Sequence, residues 1–188
     1  MRSGVRVIGI DDGPFERDHR GDVLVVGTVF RGGERLEGVL STKVRRDGRN
    51  ATDKLVAMIA GSRFHPQLHY ILLDGIALAG FNVVDIVRLH AETGLPAMVV
   101  SRTLPDQAAV RQALVRNIRG GAARWRLVER AGEVHAIEGL HCQLAGLTAA
   151  EAGALIRLTR RHGKLPEPIR AAHLIAAGIV KGASRGRA

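Results

Sequence analysis

The order of segments along this 188-residue chain predicts an α/β fold: a mixed five-stranded sheet with helices on both faces. Three observations lead there. Short apolar runs at 5–11 and 68–73 have the near-continuous hydrophobicity of strands buried on both sides. Two Val- and Thr-rich stretches near the start are joined by Arg31-Gly32-Gly33-Glu34, a hairpin signal. Helix-period and strand-like segments then alternate, as right-handed βαβ crossovers require.

In order, residues 5–11 form the first strand, and 22–30 with 35–44 form the hairpin. Asn50-Ala51-Thr52-Asp53 sets a cap residue three before an acid, and Leu55, Met58 and Ile59 follow on one helical face. The fourth strand, 68–73, runs into Asp74-Gly75. Val83, Val84, Val87 and Leu89 give helical spacing over 81–92, with Gly94 as the stop. Residues 96–101 are the fifth strand, and 107–118 a helix carrying Arg111 and Arg116. Between 122 and 147 the pattern is ambiguous, and 126–129, 134–137 and 141–144 each read as a short strand. Thr148 and Glu151 make a second capping box, and Pro166-Glu167-Pro168 begins a last helix through 180. The first strand is expected to lie beside the fourth. Their C-terminal ends then meet where open α/β sheets bind ligands.

Size and composition fit one domain over 1–188, with 46% hydrophobic residues to build a core. No apolar run approaches the roughly 18 residues of a membrane span, and no signal-like segment opens the sequence. The single Cys142 allows neither an internal disulfide nor a cysteine metal site, so a cytoplasmic protein is expected. Charge says more. Lys and Arg number 28 against 18 acids, and 24 of the 28 are arginine. Residues 1–101 hold 13 basic and 12 acidic side chains, whereas 102–188 hold 15 and 6. A basic half beside a balanced half with clustered aspartates suits nucleic acid, DNA or RNA, as the partner. Aromatics at 3% argue against an extended base-stacking platform.

Asp11 and Asp12 end the first strand and Asp74 ends the fourth. Carboxylates embedded in apolar runs are costly to bury unless their charge is balanced. Two that converge from neighbouring strands repel, so either one keeps a proton or a divalent cation sits between them. Oxygen ligands favour Mg²⁺ or Mn²⁺. Asp53 is a third candidate, with a plain alternative as half of the Asn50 capping box. Asp12 likewise fits an Asp-Gly-Pro turn. The eight histidines show no paired ligand spacing, and His173, after the Pro-Glu-Pro start, is the one to test. Neither Ser41 nor Cys142 has a nucleophile motif around it.

The phrases GIDDGPF, GDVLVVGTVFRGG, LDGI, GFNVVDI and GKLPEPIRAAHLIAAGIVKGASRGRA resemble the archaeal family known as domain of unknown function 99, over essentially the whole chain. That family is similar to endonuclease V, a Mg²⁺-dependent nuclease of ribonuclease-H-like fold that cuts near deaminated adenine. The resemblance implies an endonuclease-V-like fold. Asp11 falls where endonuclease V has the metal-binding aspartate ending its first strand, and Asp74 where its VDG motif has another. Asp53 falls at a catalytic glutamate, and Arg102, after VVS, at a lysine that contacts phosphate. Asp12 is a further ligand candidate.

The chain also departs from endonuclease V. Asp53 is one methylene shorter than glutamate. The histidine before the penultimate helix aligns near Ala145-Gly146-Leu147, where no imidazole stands. The Pro-Tyr-Ile-Pro turn that carries the damage-sensing aromatic is replaced by Arg45-Arg46-Asp47-Gly48-Arg49. The leading expectation is a metal-dependent nuclease acting on DNA or RNA through Asp11, Asp74 and Asp53, with Arg102 on a phosphate. The alternative is a catalytically impaired nucleic-acid-binding protein of the same fold. GIDDG also resembles the phosphate loop of actin-like ATPases, but those need a second lobe that 188 residues do not supply.

Overall fold

The chain opens with three antiparallel strands, β1 (Arg6–Asp12), β2 (Asp22–Arg31) and β3 (Arg35–Arg45), in a computed structural model that describes residues 4–184. The Arg-rich segment 185–187 lies outside the described residues. The two glycines joining β2 to β3 have separate reasons. Gly32 takes a left-handed φ of 57° in the turn, whereas a Cβ on Gly33 would lie 2.5 Å from the Thr159 carbonyl oxygen.

Helix α1 (Ala51–Ala60), strand β4 (Tyr70–Asp74), a ribbon of β5 (Ala77–Leu78) and β6 (Asn82–Val83), helix α2 (Ile86–Thr93) and strand β7 (Ala97–Ser101) follow. Then come α3 (Gln107–Asn117), α4 (Gly121–Arg130), β8 (His135–Ile137), β9 (Leu140–Ala145), α5 (Ala149–Thr159) and α6 (Glu167–Lys181). The main sheet is ordered β3-β2-β1-β4-β7-β9-β8. β1 and β4 are parallel, as are β4 and β7, and the other pairs are antiparallel. The five strands expected from the sequence form one contiguous block, and β9 with β8 extends it.

Alternation along the central strands divides the core. Ile8, Ile10, Ile71 and Leu73 face Leu55 and Ile59 of α1 and Ile86 and Leu89 of α2. Val7, Leu72 and Met98 face Leu155 and Ile156 of α5 and Ile169 of α6. A one-residue slip would exchange the two sets, so the register is strongly specified.

Three local expectations are corrected. Residues 126–129 belong to α4, whose buried face is Gly121, Arg124 and Val128 at helical spacing. The 81–92 segment begins as β6, and α2 starts only at Ile86, capped by the Asp85 side chain accepting from Arg88 N–H. The Asn50 capping box does not form. Asn50 Oδ1 instead accepts from Arg45 N–H and Asn82 Nδ2, and buried Asn82 accepts from Ala51 N–H in its place. The box of Thr148 and Glu151 is present.

The placement of α6 matters most for function. A Cβ on Gly9 of β1 would lie 2.3 Å from the Pro168 carbonyl carbon, so only glycine lets the helix start rest on the strand. Thr28 Oγ1 of β2 donates to Pro168 O at 2.6 Å, fixing the helix across both strands.

Candidate metal centre

Because β1, β4 and β7 run parallel, their C-terminal ends share one edge of the sheet. That edge carries Asp11 and Asp12 from β1, Asp74 from β4 and Arg102 just after β7. Helix α6, held by Gly9 and Thr28, brings His173 to the same place. Asp11 Oδ2 lies 2.8 Å from His173 Nδ1, and Asp11 Oδ1 accepts from Asp12 N–H at 2.9 Å. Asp11, Asp74 and His173 each offer a ligand atom within 4.8 Å of the others. Together with Arg102 and Lys181 they line a cavity of about 850 Å³.

The electrostatics show why the arrangement is uneasy without a counter-charge. Asp11 is only 6% exposed. Burial first, then the charges of Asp74 and Asp12, push its carboxyl up to about 8. Burial also raises Asp12, against hydrogen bonds from backbone N–H groups, and raises Asp74, chiefly against the positive charge of Arg102. Burial and the neighbouring acids therefore favour the protonated form of Asp11 until a counter-charge arrives. Two carboxylates and an imidazole that meet in this way form a donor set that fits a divalent cation. The imidazole adds a nitrogen donor to the oxygen-only set read from the sequence.

The predicted site residues divide. Asp11 and Asp74 converge and Arg102 lines their cavity. Asp12 also lines it, but its Oδ2 accepts from Ala79 N–H at 2.8 Å and so ties down the β5–β6 ribbon. Asp53 is not brought into this cluster. It is exposed on α1, with its carboxylate 2.6 Å from Arg88 Nη2, and belongs to no metal-ligating group among the described residues. Its charge is already matched by an arginine on the neighbouring helix. No imidazole stands at 145–147, and the one at this edge belongs to His173. Its nearest sequence signal was the helix start five residues before it. Lys181 was missed, although it follows His173 and Ala177 at four-residue steps along one face of α6.

A mixed sheet that opens with an antiparallel hairpin and gathers carboxylates at the ends of its parallel strands defines a ribonuclease-H-like fold of the endonuclease V kind. In agreement, endonuclease V of Ciona intestinalis, in complex with a 24mer DNA containing an inosine followed by a ribo-adenosine, superposes with a TM-score of 0.60 at 12% identity, over 95% of this chain and 87% of that one. The family is defined more narrowly by sequence: residues 3–180 match the model for endonuclease dU, and the chain belongs to that family. A UPF0215 protein of Deinococcus radiodurans is 51% identical over 180 residues, covering 96% of this chain and 91% of the relative. One of Methanothermobacter thermautotrophicus is 48% identical over 191 residues, covering 100% and 94%. A protein of unknown function from Archaeoglobus fulgidus superposes with a TM-score of 0.87 at 43% identity, over 93% and 98% of the two chains.

Proposed function

We propose that this protein is a metal-dependent endonuclease that hydrolyses phosphodiester bonds in nucleic acid. The observation that carries this reading is the convergence of Asp11, Asp74 and His173 at one sheet edge beside Arg102 and Lys181. Asp11 and Asp74 would hold Mg²⁺ or Mn²⁺. When bound, the ion supplies a water of lowered pKa and Lewis-acid polarisation of the phosphate. Once Asp11 is ionised, His173 Nδ1–H donates to its Oδ2 and fixes the orientation of the carboxylate, as partners of metal ligands do. Arg102 grips a phosphate through its planar fork, and Lys181 adds a point charge at the end of α6. The family description supports DNA containing deoxyuridine as the first substrate to try.

The test is cleavage of labelled strands containing deoxyuridine, deoxyinosine or neither, with Mg²⁺ or Mn²⁺. Metal-dependent cutting is expected. It should fall in Asp11→Asn and Asp74→Asn by more than the roughly 10–100-fold lost when only a ligand's supporting group is removed. No cutting of any strand with either metal overturns the reading. A second reading, nucleic-acid binding without catalysis, is favoured by the pairing of Asp53 with Arg88, which leaves Asp11, Asp12 and Asp74 as the carboxylates at the edge. It predicts salt-dependent binding that survives both substitutions.

A further inference from the structure

The cavity beside Asp11 is lined by two chemically different kinds of group: the acids, Arg102 and Lys181, and with them Pro14, Phe15 and Ala177. Only six of the 188 residues are Phe, Tyr or Trp, and among the described residues Phe15 is the one of these that lines this cavity. Its position is deliberately braced. Arg46, from the turn after β3, sets its guanidinium 5.4 Å from the ring centroid, and its Nη1 donates to the carbonyls of Glu16, Arg17 and His19. One arginine thus collects three carbonyls of the β1–β2 connection and backs the ring that this connection carries. Gly13 leaves β1 with its N–H on Leu24 O at 2.8 Å, under α6, where a Cβ would lie 2.9 Å from Val180 Cγ2. The loop is therefore fixed at both ends.

A lining that joins cationic side chains to an aromatic ring matches a nucleotide, whose phosphate is ionic and whose base has a flat π-face. We propose that Phe15 is the base-contacting residue of this site, and that Arg46 is its positioning residue. The inference rests on the nucleic-acid reading of the same cavity and adds a nucleotide taken unpaired, with its base on Phe15 and its phosphate toward Arg102 and Lys181. A base still stacked in a duplex has no free face to offer.

The experiment measures binding of fluorescent single-stranded DNA by anisotropy in EDTA, so that nothing is cut. It compares intact strands with strands carrying one abasic site, scanned position by position. For wild type, an abasic site at one position should weaken binding. Phe15→Ala should weaken binding of the intact strand by about 5- to 100-fold, the range of one base–aromatic contact, and leave that abasic strand nearly unaffected. Phe15→Trp should preserve the difference between the two strands, and Arg46→Ala should reduce it as Phe15→Ala does. Phe15→Leu keeps the apolar packing and separates ring chemistry from folding: retention of the full difference would overturn the proposal. An equal loss on intact and abasic strands in Phe15→Ala would overturn it too, leaving the nuclease reading untouched. Absence of any binding by wild type would overturn the nucleic-acid reading and this inference with it.

Discussion

Replacing Asp11 by Asn should make the metal-free protein more stable. Burial and the neighbouring acids raise this carboxyl from 3.8 to about 8 in the folded chain. Between those values the folded state holds a proton that the unfolded state releases, so the wild type loses stability as pH rises from about 4 to about 8. At pH 7 the mismatch spans about three pH units, and at about 1.36 kcal/mol per unit the cost is on the order of 4 kcal/mol. Asparagine cannot ionise in either state, which removes the cost. It also preserves local bonding, because its Oδ1 can accept from Asp12 N–H and its Nδ2 can donate to His173 Nδ1. For a chain of this length about 1 kcal/mol moves Tm by about 2–4 °C, so a rise of roughly 5–15 °C is expected at pH 7. The assay is thermal unfolding in EDTA from pH 4.5 to 9. The gap between variant and wild type should widen with pH and level off above about 8. A variant that melts lower than wild type at pH 7, or a gap that does not depend on pH, would refute the reasoning.

Further outcomes follow from the same geometry. Metal affinity, measured by titration calorimetry, should rise with pH until about pH 8 and then flatten, because binding must first displace the Asp11 proton. Asp53→Ala removes only an exposed ion pair with Arg88 and should change stability by less than about 1 kcal/mol, with metal binding unchanged. Gly9→Ala forces a methyl group against Pro168 and should cost about 1–3 kcal/mol in denaturant unfolding. By lifting α6, it should also weaken metal binding through loss of the Asp11–His173 contact.

The central sheet was legible because burial on both faces leaves a plain mark: 7–10, 70–73 and 97–100 are short runs without a charged residue, and each is followed by an aspartate or a serine. The same signal placed Asp11 and Asp74 at strand ends, and parallel pairing then brought them together. Where the sequence misled, long-range contacts had replaced local ones. Asn50 looked like the cap of α1, but buried Asn82, 31 residues on, supplies the acceptor for Ala51 N–H. Arg124 reads as a surface residue and so hides the buried face of α4. It is 5% exposed because its guanidinium donates to the carbonyls of Asp47, Gly48 and Arg119. His173 has no local signature as a site residue, since its partner lies 162 positions away and is reached only because Gly9 admits α6 so closely. For Asp53 the spacing from Asp74 marked its helix but not its partner, because Arg88 lies 35 positions on, in α2.

Crystals grown with Mn²⁺ and examined at the manganese absorption edge test the metal centre most directly. An anomalous peak bonded to carboxylate oxygens of both Asp11 and Asp74, with His173 alongside, is the predicted result. A cavity without such a peak at saturating Mn²⁺, with Arg102 bridging the two carboxylates, would contradict the account.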